Sequence, residues 1–533
     1  MNHLLCGLAE NPALPARLVD RLIALAMAGV EVPARCPSPE FLDELVRNLA
    51  DRADLSPAQV RTLAAHHEHT AIQLAYGGTL TAADVDPKVQ PYAAIALLDE
   101  GRGLPEWARL LAVDPDPDVR WKLASVPQLP PDVSETLAAD LDLEVVGELA
   151  LWTTNEAVAA RLARHPHAEV RYATARNEST PSTALATLVT GAGLAPARSC
   201  LVCDSRDVPF VHDPYCPDAD CSLRAGAACD GTHDSTVHET WLGALRNPAT
   251  PSEVAAPFAD SPSMLLRWAL AERTDLPQDV YARLARDPVP GVRQAVAGNP
   301  AIDEGLVRTL AADAAREELR ALAGHPRLPL DVLVRLAGAT RIGPTLLPRI
   351  ASATVAELVD LAASADASVR MLVAERRDLP DEVRDALADD PDAAVVKAVV
   401  PHPGLSEGQL RAVVARHGVR VLARAATNPD ASGGLLAELA RHEPSVRRTM
   451  RAVATHPNAG SEALLPCLAT DDERARRGAA AHPALAVPVL VGLLDDADAD
   501  VAQAAAANPS LPLSVMEDLV RRYAEPGVTR PVS

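Results

Sequence analysis

Aromatic side chains make up only 3% of the 533 residues, so bulky rings cannot build most of the core. Positive charge is in deficit too. Lys plus Arg number 50 against 72 Asp plus Glu, a net charge of −22. Such a chain repels a phosphate backbone on average, which disfavours nucleic acid as a partner. No stretch reaches the roughly 20 apolar residues of a membrane span. Met1-Asn2-His3-Leu4-Leu5-Cys6 lacks the charged region and sustained apolar run of a secretion signal. A soluble, cytoplasmic protein with no membrane partner is the expectation. There is no Gly-rich phosphate loop, no His-Glu-x-x-His and no nucleophile elbow, so enzymatic activity is not expected. Plentiful instead are hydrophobic residues, at 48%, largely Ala, Leu and Val, and prolines, 46 in all.

The prolines fall at fixed places in a unit of about 26 residues that recurs along the chain. Its clearest copy runs Leu276-Pro277-Gln278-Asp279-Val280, Leu284-Ala285, Asp287-Pro288, Val292-Arg293, Val296-Ala297 and Asn299-Pro300. The closing dipeptide returns as His325-Pro326, His402-Pro403, Asn428-Pro429, His456-Pro457, His482-Pro483 and Asn508-Pro509. Weaker copies lie near Asn11-Pro12, Gly103-Leu104-Pro105, Val126-Pro127 and Asn177; near Ala351 the motif is lost. A unit this short cannot bury its own apolar face, so copies stack into a solenoid.

Each unit reads as two short helices. Pro277 suits a first helical turn, and Val280 and Leu284 share a face. Asp287 before Pro288 reads as an N-cap with proline at N1, and Val292 and Val296 give the second helix its apolar stripe. Asn299 before Pro300 ends it. Asp114-Pro115 and Asp390-Pro391 repeat the pattern. The predicted fold is all-α: a right-handed α-solenoid of short helix pairs.

The signature Leu-Pro, Val-x-x-x-Leu-Ala, Asp-Pro, Val-Arg, Asn/His-Pro resembles the leucine-rich repeat variant family, a relative of the HEAT-like helical solenoids. The resemblance covers most of the chain outside about 190–245. It implies alternating α and 3₁₀ helices and no common activity.

His325, His402, His456 and His482 occupy the slot that Asn299, Asn428 and Asn508 hold elsewhere. Interchange of His with Asn points to a backbone role at a helix end, where both tolerate unusual φ. The arginines after valine, Arg120, Arg171, Arg293, Arg370 and Arg447, predict a ladder pairing with acids of adjacent units. A late basic stretch (Arg411, Arg416, Arg420, Arg424, Arg447, Arg448, Arg451, Arg474, Arg476 and Arg477) reads as a solvated, salt-bridged face. As a docking patch for an acidic partner, it would keep a nucleic-acid-binding helical solenoid in play.

The periodicity stops near Gly191 and resumes at Asn247-Pro248. Five of the 8 cysteines crowd between Cys200 and Cys229. In a reducing compartment such a cluster points to metal more than to disulfides. Cys200 and Cys203, two residues apart, can aim both sulfurs at one ion. The remaining ligands would come from Cys216, Cys221, Cys229 and His233. Zinc accepts this mixed set; an iron–sulfur cluster takes four cysteines. His212 and His238 read as surface residues.

Two resemblances bear on the metal. Some leucine-rich repeat variant proteins carry a small cysteine-rich iron–sulfur domain beside the repeats, whereas here the cysteines interrupt the array. Cys229-Asp230-Gly231-Thr232-His233 is similar to the terminal motif of CDGSH iron–sulfur proteins. That similarity implies Cys229 and His233 as ligands with Cys221 as a third, although Leu223 and Ala227 depart from the family's pattern.

The domain reading is therefore 1–190, an N-terminal helical array; 191–246, an irregular cysteine-rich metal-binding insert; 247–525, a C-terminal array; and 526–533, a tail. The functional expectation is a non-catalytic scaffold that binds a protein partner and carries a zinc ion. The alternatives are an iron–sulfur redox or electron-transfer protein and a nucleic-acid-binding solenoid.

Overall fold

The structure, a computed structural model, describes residues 2–27, 39–201, 203, 234–313 and 315–524. These residues form 35 α-helices and four short 3₁₀ turns. The described residues contain no strand, and their one extended pairing is an isolated bridge between His167 and Ser199.

One unit shows how the sequence produces the pair. Pro277 precedes the helix Gln278–Leu284, which buries Val280, Tyr281 and Leu284. The second helix, Pro290–Gly298, buries Val292, Val296 and Ala297. Its N-cap is Val289 and its N1 proline is Pro290, so Asp287 is not the N-cap that the sequence suggests. The carboxylate of Asp287 is engaged elsewhere: it accepts from the Val289 N–H at 2.8 Å and from Arg267 at 2.6 and 3.2 Å. The same two-residue offset recurs at Asp116 and Asp392, the N-caps that follow Asp114 and Asp390. Both members of such a pair are α-helical, and among the described residues 3₁₀ geometry is confined to Ala82–Asp84, Ala256–Asp260, Gly418–Arg420 and Leu493–Asp495. A first helix of seven residues already closes i→i−4 bonds, as from the Ala285 N–H to the Tyr281 carbonyl.

The thin layers explain the composition. Buried positions are filled by Ala, Leu and Val, and Tyr281 is the largest fully buried side chain. Its hydroxyl donates to the Arg273 carbonyl at 2.7 Å, so burying the ring leaves no orphaned polar atom.

The chain forms two compact units. Unit 1 is Met1–Leu80, Pro344–Leu346 and Ala353–Ser533; unit 2 is Thr81–Gly343 and Leu347–Ser352. Unit 1 therefore contains both ends of the chain, a grouping that the division at residue 190 does not anticipate. Its N-terminal helix Asn2–Glu10 packs on Ala499–Ala506 as the next layer of the C-terminal stack. Gly7 permits the close approach, because a Cβ there would run into the backbone carbonyl of Gln503.

In unit 2 the second helices Pro117–Ala124, Leu143–Trp152, Ala168–Arg176, Asp234–Arg246, Met264–Glu272 and Pro290–Gly298 pack each on the next. The Asp234–Arg246 helix follows Ala168–Arg176 directly in this layer.

Candidate functional site

The residue that closes each unit is a clamp between layers. Asn299 Nδ2 donates to the carbonyls of Ala271 and Arg273 in the preceding unit, at 2.7 and 2.5 Å. Its Oδ1 accepts from the Ala301 N–H at 2.9 Å. Asn428 and Asn508 repeat this pattern. Asn247 reaches across the insert to Ala175 and Asn177, at 3.0 and 2.8 Å. Asn11 joins the chain ends by donating to Ala506 and Asn508, at 2.9 and 2.7 Å.

Histidine fills the slot with one donor instead of two. His456 Nε2 meets the Asn428 carbonyl at 2.8 Å while its Nδ1 accepts from the Asn458 N–H at 3.1 Å. A carbonyl only accepts and an N–H only donates, so His456 is neutral and carries its proton on Nε2. His482 does the same toward His456. The structural role expected of the slot histidines is present at His456 and His482, whereas His325 Nε2 and both ring nitrogens of His402 are buried without a hydrogen-bond partner among the described residues; unusual φ is not the cause of the role. Asn299 and His482 have φ of −76° and −75°, ordinary extended backbone.

Arginine fills the slot at three further places; the sequence marks one of them, through Arg377-Asp378-Leu379-Pro380, but one residue late, and misses the other two. Arg52 donates to Ala9 and Asn11, and Arg273 to Leu245, Asn247 and Thr250. Arg376 donates to Ala353. Each is gripped by an aspartate two residues on: Asp54, Asp275 and Asp378. The Arg-x-Asp spacing was the signal available.

The second-helix arginines form the expected ladder. Arg120, Arg267 and Arg370 bind Asp140, Asp287 and Asp390, each 20 residues ahead, and Arg293 binds Glu318. Each also donates to the turn that starts its own helix, as Arg267 does to Ser261 and Pro262. Arg447 is not a rung: it pairs with Asp471 at a side-chain exposure of 67%, and the inward pair there is Arg451–Asp472. Hydrogen bonds from Arg451 hold the Asp472 carboxyl down at about 2. Arg171 lacks a carboxylate partner among the described residues, because position 191 is a glycine where the insert begins. Its Nε turns back to the His165 carbonyl at 2.6 Å, and burial lowers its pKa. The late arginines are largely salt-bridged as predicted: Arg411 to Glu407 and Glu438, Arg416 to Asp389, Arg476 to Asp496 and Asp498.

Of the candidate metal ligands, Cys200 and Cys203 are described; Cys216, Cys221, Cys229 and His233 lie outside the described residues, as does His212. The strand-like contact that seats Cys200 has two bonds, from the Arg198 N–H to Pro166 and from the Ala168 N–H to Ser199, both 2.9 Å. Cys200 is fully buried against Ala168, at the start of the Ala168–Arg176 helix, and Cys203 is exposed. Their Sγ atoms are 3.4 Å apart. That is too long for a disulfide of about 2.05 Å. It is near the roughly 3.7 Å that two thiolates span on one tetrahedral zinc with bonds of about 2.3 Å. Glu169 lies under this turn, which the sequence did not mark. It accepts from the Leu201 N–H, its Oε2 has no hydrogen-bond partner, and burial pushes its pKa up to about 7. His238 is not a surface residue: its side chain is 13% exposed, with Nε2 2.8 Å from the Ser263 hydroxyl. Among the described residues no three metal-ligating side chains converge. Cys6 and Cys467 are core thiols that burial pushes up to about 12.

No helix among the described residues is long and apolar enough to cross a membrane. No protein-family model matches the chain, and no curated protein matches it. Among solved structures it is similar to a leucine-rich repeat variant with a novel repetitive structural motif, at 22% identity over 50% of this chain and 84% of that one, with a TM-score of 0.24. It is also similar to a chain of the Pds5–Scc1 complex, at 13% identity over 92% of this chain and 65% of that one, with a TM-score of 0.14. The helical-repeat architecture rests on the chain's own packing: layer upon layer of helix pairs, joined by one recurring polar clamp.

Proposed function

We propose that the chain is a non-catalytic scaffold for protein–protein interaction. The observation that carries this reading is where the polar side chains of the repeat go. The recurring Asn, His, Arg and Asp residues are used between neighbouring layers, as clamps and ladder pairs. A constellation that answers only its own next layer supports stacking rather than turnover. What the layers leave outward includes large indoles: Trp121, Trp152 and Trp268 are 41%, 46% and 37% exposed. Such residues are typical anchors of protein interfaces. The test is affinity capture from source-cell extract with the intact chain and with a Trp121→Ala/Trp152→Ala chain. A protein enriched by the first and lost from the second supports the reading; identical recovery by both and by bare resin ends it.

The insert completes the proposal. A zinc ion held by Cys200 and Cys203, with further ligands from Cys216, Cys221, Cys229 and His233, would stabilise a segment that lacks the repeat pattern. The 3.4 Å sulfur separation supports two thiolates on one ion, an arrangement that zinc and a two-iron cluster share and a four-iron cluster does not. Metal analysis and an absorbance spectrum on protein purified without oxygen decide this. Colourless protein with one zinc that is lost in Cys200→Ser is the expected result, and a brown, iron-loaded preparation would replace zinc with the redox alternative.

A further inference from the structure

The second-helix layer of unit 2 has an outward face that its clamps and ladder do not use. Positions eight, five and one before each closing residue share one side of a helix. Five before the closing residues Val126, Asn177, Asn247 and Arg273 stand Trp121, Tyr172, Leu242 and Trp268, of which Leu242 is buried; Gly147 takes this place in the Leu143–Trp152 helix, which is one residue longer. Eight before the first three stand Asp118, Glu169 and Glu239, with Glu144 equivalent in the longer helix. Exposed indoles therefore stand beside an acidic row made by Asp118, Glu144 and Glu272, interrupted at the Ala168–Arg176 and Asp234–Arg246 helices, where Glu169 and Glu239 are largely buried.

The rings are held in place. Trp268 is seated over Gly291, where a Cβ would come within 2.8 Å of the ring. The indole N–H groups of Trp268 and Trp152 donate to Glu272 and Glu148, at 3.0 and 2.9 Å, which sets a carboxylate beside each ring. A Cβ on Gly147 would meet nothing within 4 Å, so a gap lies between the rings of Trp121 and Tyr172. The face already stacks one cation on a ring: the Arg176 guanidinium lies 5.4 Å from the Tyr172 centroid.

We propose that this face receives an extended, arginine- or lysine-bearing segment of a protein partner, its cations stacking on Trp121 and Trp268 and pairing with the adjacent carboxylates. The proposal rests on the scaffold reading and gives the partner's chemistry. Charge complementarity selects the occupant. The acidic row repels phosphate, and a second copy of a chain with net charge −22 brings acid to acid. Of the basic residues on the face, Lys122 lies beside Glu148 and Arg176 is already on Tyr172; exposed Arg246 is outnumbered by the exposed acids Asp118, Glu144 and Glu272. Five helices spaced by roughly 10 Å span about 40 Å, the reach of about 12 extended residues.

All five tryptophans lie between residues 107 and 268, so intrinsic fluorescence reports on unit 2 alone. The full chain is titrated with a capped peptide of about 16 residues alternating arginine and serine, with its glutamate–serine counterpart, and with a thymidine oligonucleotide of similar length. A saturable spectral change with the arginine peptide only is expected. By calorimetry, Trp121→Ala/Trp268→Ala should weaken binding roughly tenfold or more, and Glu148→Gln/Glu272→Gln several-fold. Asp471→Asn/Asp500→Asn, exposed acids of unit 1, should leave it unchanged. Circular dichroism confirms that each variant is folded. No binding of the arginine peptide, binding indifferent to the tryptophan changes, or equal binding of the oligonucleotide overturns the proposal. If a cellular protein is still captured through Trp121 and Trp152 while the arginine peptide fails, the scaffold reading stands and this inference alone falls.

Discussion

Unit 2 holds every tryptophan of the chain and unit 1 holds none, yet both are assembled on the same clamp. At the register where unit 2 shows Trp121, Tyr172 and Trp268, unit 1 shows Met371, Lys397, Arg451 and Gln503. The positions that join layers accept few side chains, because two backbone carbonyls and one N–H must be satisfied by whatever sits there. The positions facing out are free of that demand and can diverge toward binding or toward solvation. The ladder differs in depth from rung to rung rather than from unit to unit: Arg267 and Asp287 in unit 2 have side-chain exposures of 10% and 4% and Arg370 and Asp390 in unit 1 have 15% and 5%, whereas Arg476 and Asp496 in unit 1 have 22% and 18%.

That difference in depth gives the largest expected effect. Arg267→Met strands the Asp287 carboxylate in a buried turn, and removing one partner of such a pair costs about 3–5 kcal/mol. Arg476→Met leaves its acids with access to water and should cost about 1 kcal/mol. Urea unfolding followed by hydrogen exchange, unit by unit, measures both. Equal losses would show that the two rungs are energetically alike despite their different burial.

Next comes the clamp itself. Asn11→Ala leaves the carbonyls of Ala506 and Asn508 without their donor in a buried site, at about 2–4 kcal/mol. In unit 1 the affected layer, Asn2–Glu10, lies between Ala499–Ala506 and Pro39–Ala50, and amides of residues 2–27 should exchange much faster. Asn247→Ala breaks the same number of bonds in unit 2 between layers enclosed on both sides, and protection there should fall locally with no segment released. An unchanged exchange pattern in Asn11→Ala would mean that apolar contact alone holds the terminus.

The clamp also separates what the sequence reveals from what it hides. The slot was legible, because Asn or His before Pro recurs at a fixed interval. Its mechanism was not, since the carbonyls it grips belong to another layer and local φ explains nothing. Asn11-Pro12 was legible as a weak copy, but no local signal says that it stacks after Asn508. Arg52 and Arg273 hid in the slot because a cation there looks like surface, and Arg376 was marked one residue late; the aspartate two residues on gives all three away. Cys200 and Cys203 were legible by spacing, while Glu169 beneath them looks like any acid in a first helical turn. The exposed indoles needed register: Trp121 and Trp268 mean little until both are counted from the closing residues of their units.

One slot histidine makes the units unequal in acid: His402 of unit 1, which is fully buried with no hydrogen-bond partner for either ring nitrogen among the described residues. Burial lowers the pKa of His402 from 6.5 to about 4. Between those values the unfolded chain binds the proton that the folded chain refuses. Stability is therefore full above pH 6.5 and falls as pH drops toward 4, by on the order of 2–3 kcal/mol for His402. His402→Asn, a residue the slot accepts at Asn428, should flatten that decline in unit 1 and leave unit 2 unaltered. Parallel acid titrations of both proteins, monitored by exchange in each unit, test it; identical slopes would remove His402 as the cause.

The smallest effects come from glycines four residues before the clamp, where adjacent second helices approach closely. Adding a methyl group should help a helix by about 1 kcal/mol if space allows. At Gly243 in unit 2 the new Cβ would meet Arg176 Cγ at 2.9 Å, part of a flexible side chain that can move aside. At Gly7 in unit 1 it would meet the Gln503 carbonyl, which is fixed in the neighbouring helix. Gly243→Ala should therefore lie within about 0.5 kcal/mol of the parent, whereas Gly7→Ala should cost about 1–2 kcal/mol net by forcing the Asn2–Glu10 helix off its neighbour. Thermal unfolding of the two variants side by side reads the sign. If Gly7→Ala proves neutral, the joint between Asn2–Glu10 and Ala499–Ala506 yields readily, and the close approach there is not what holds it.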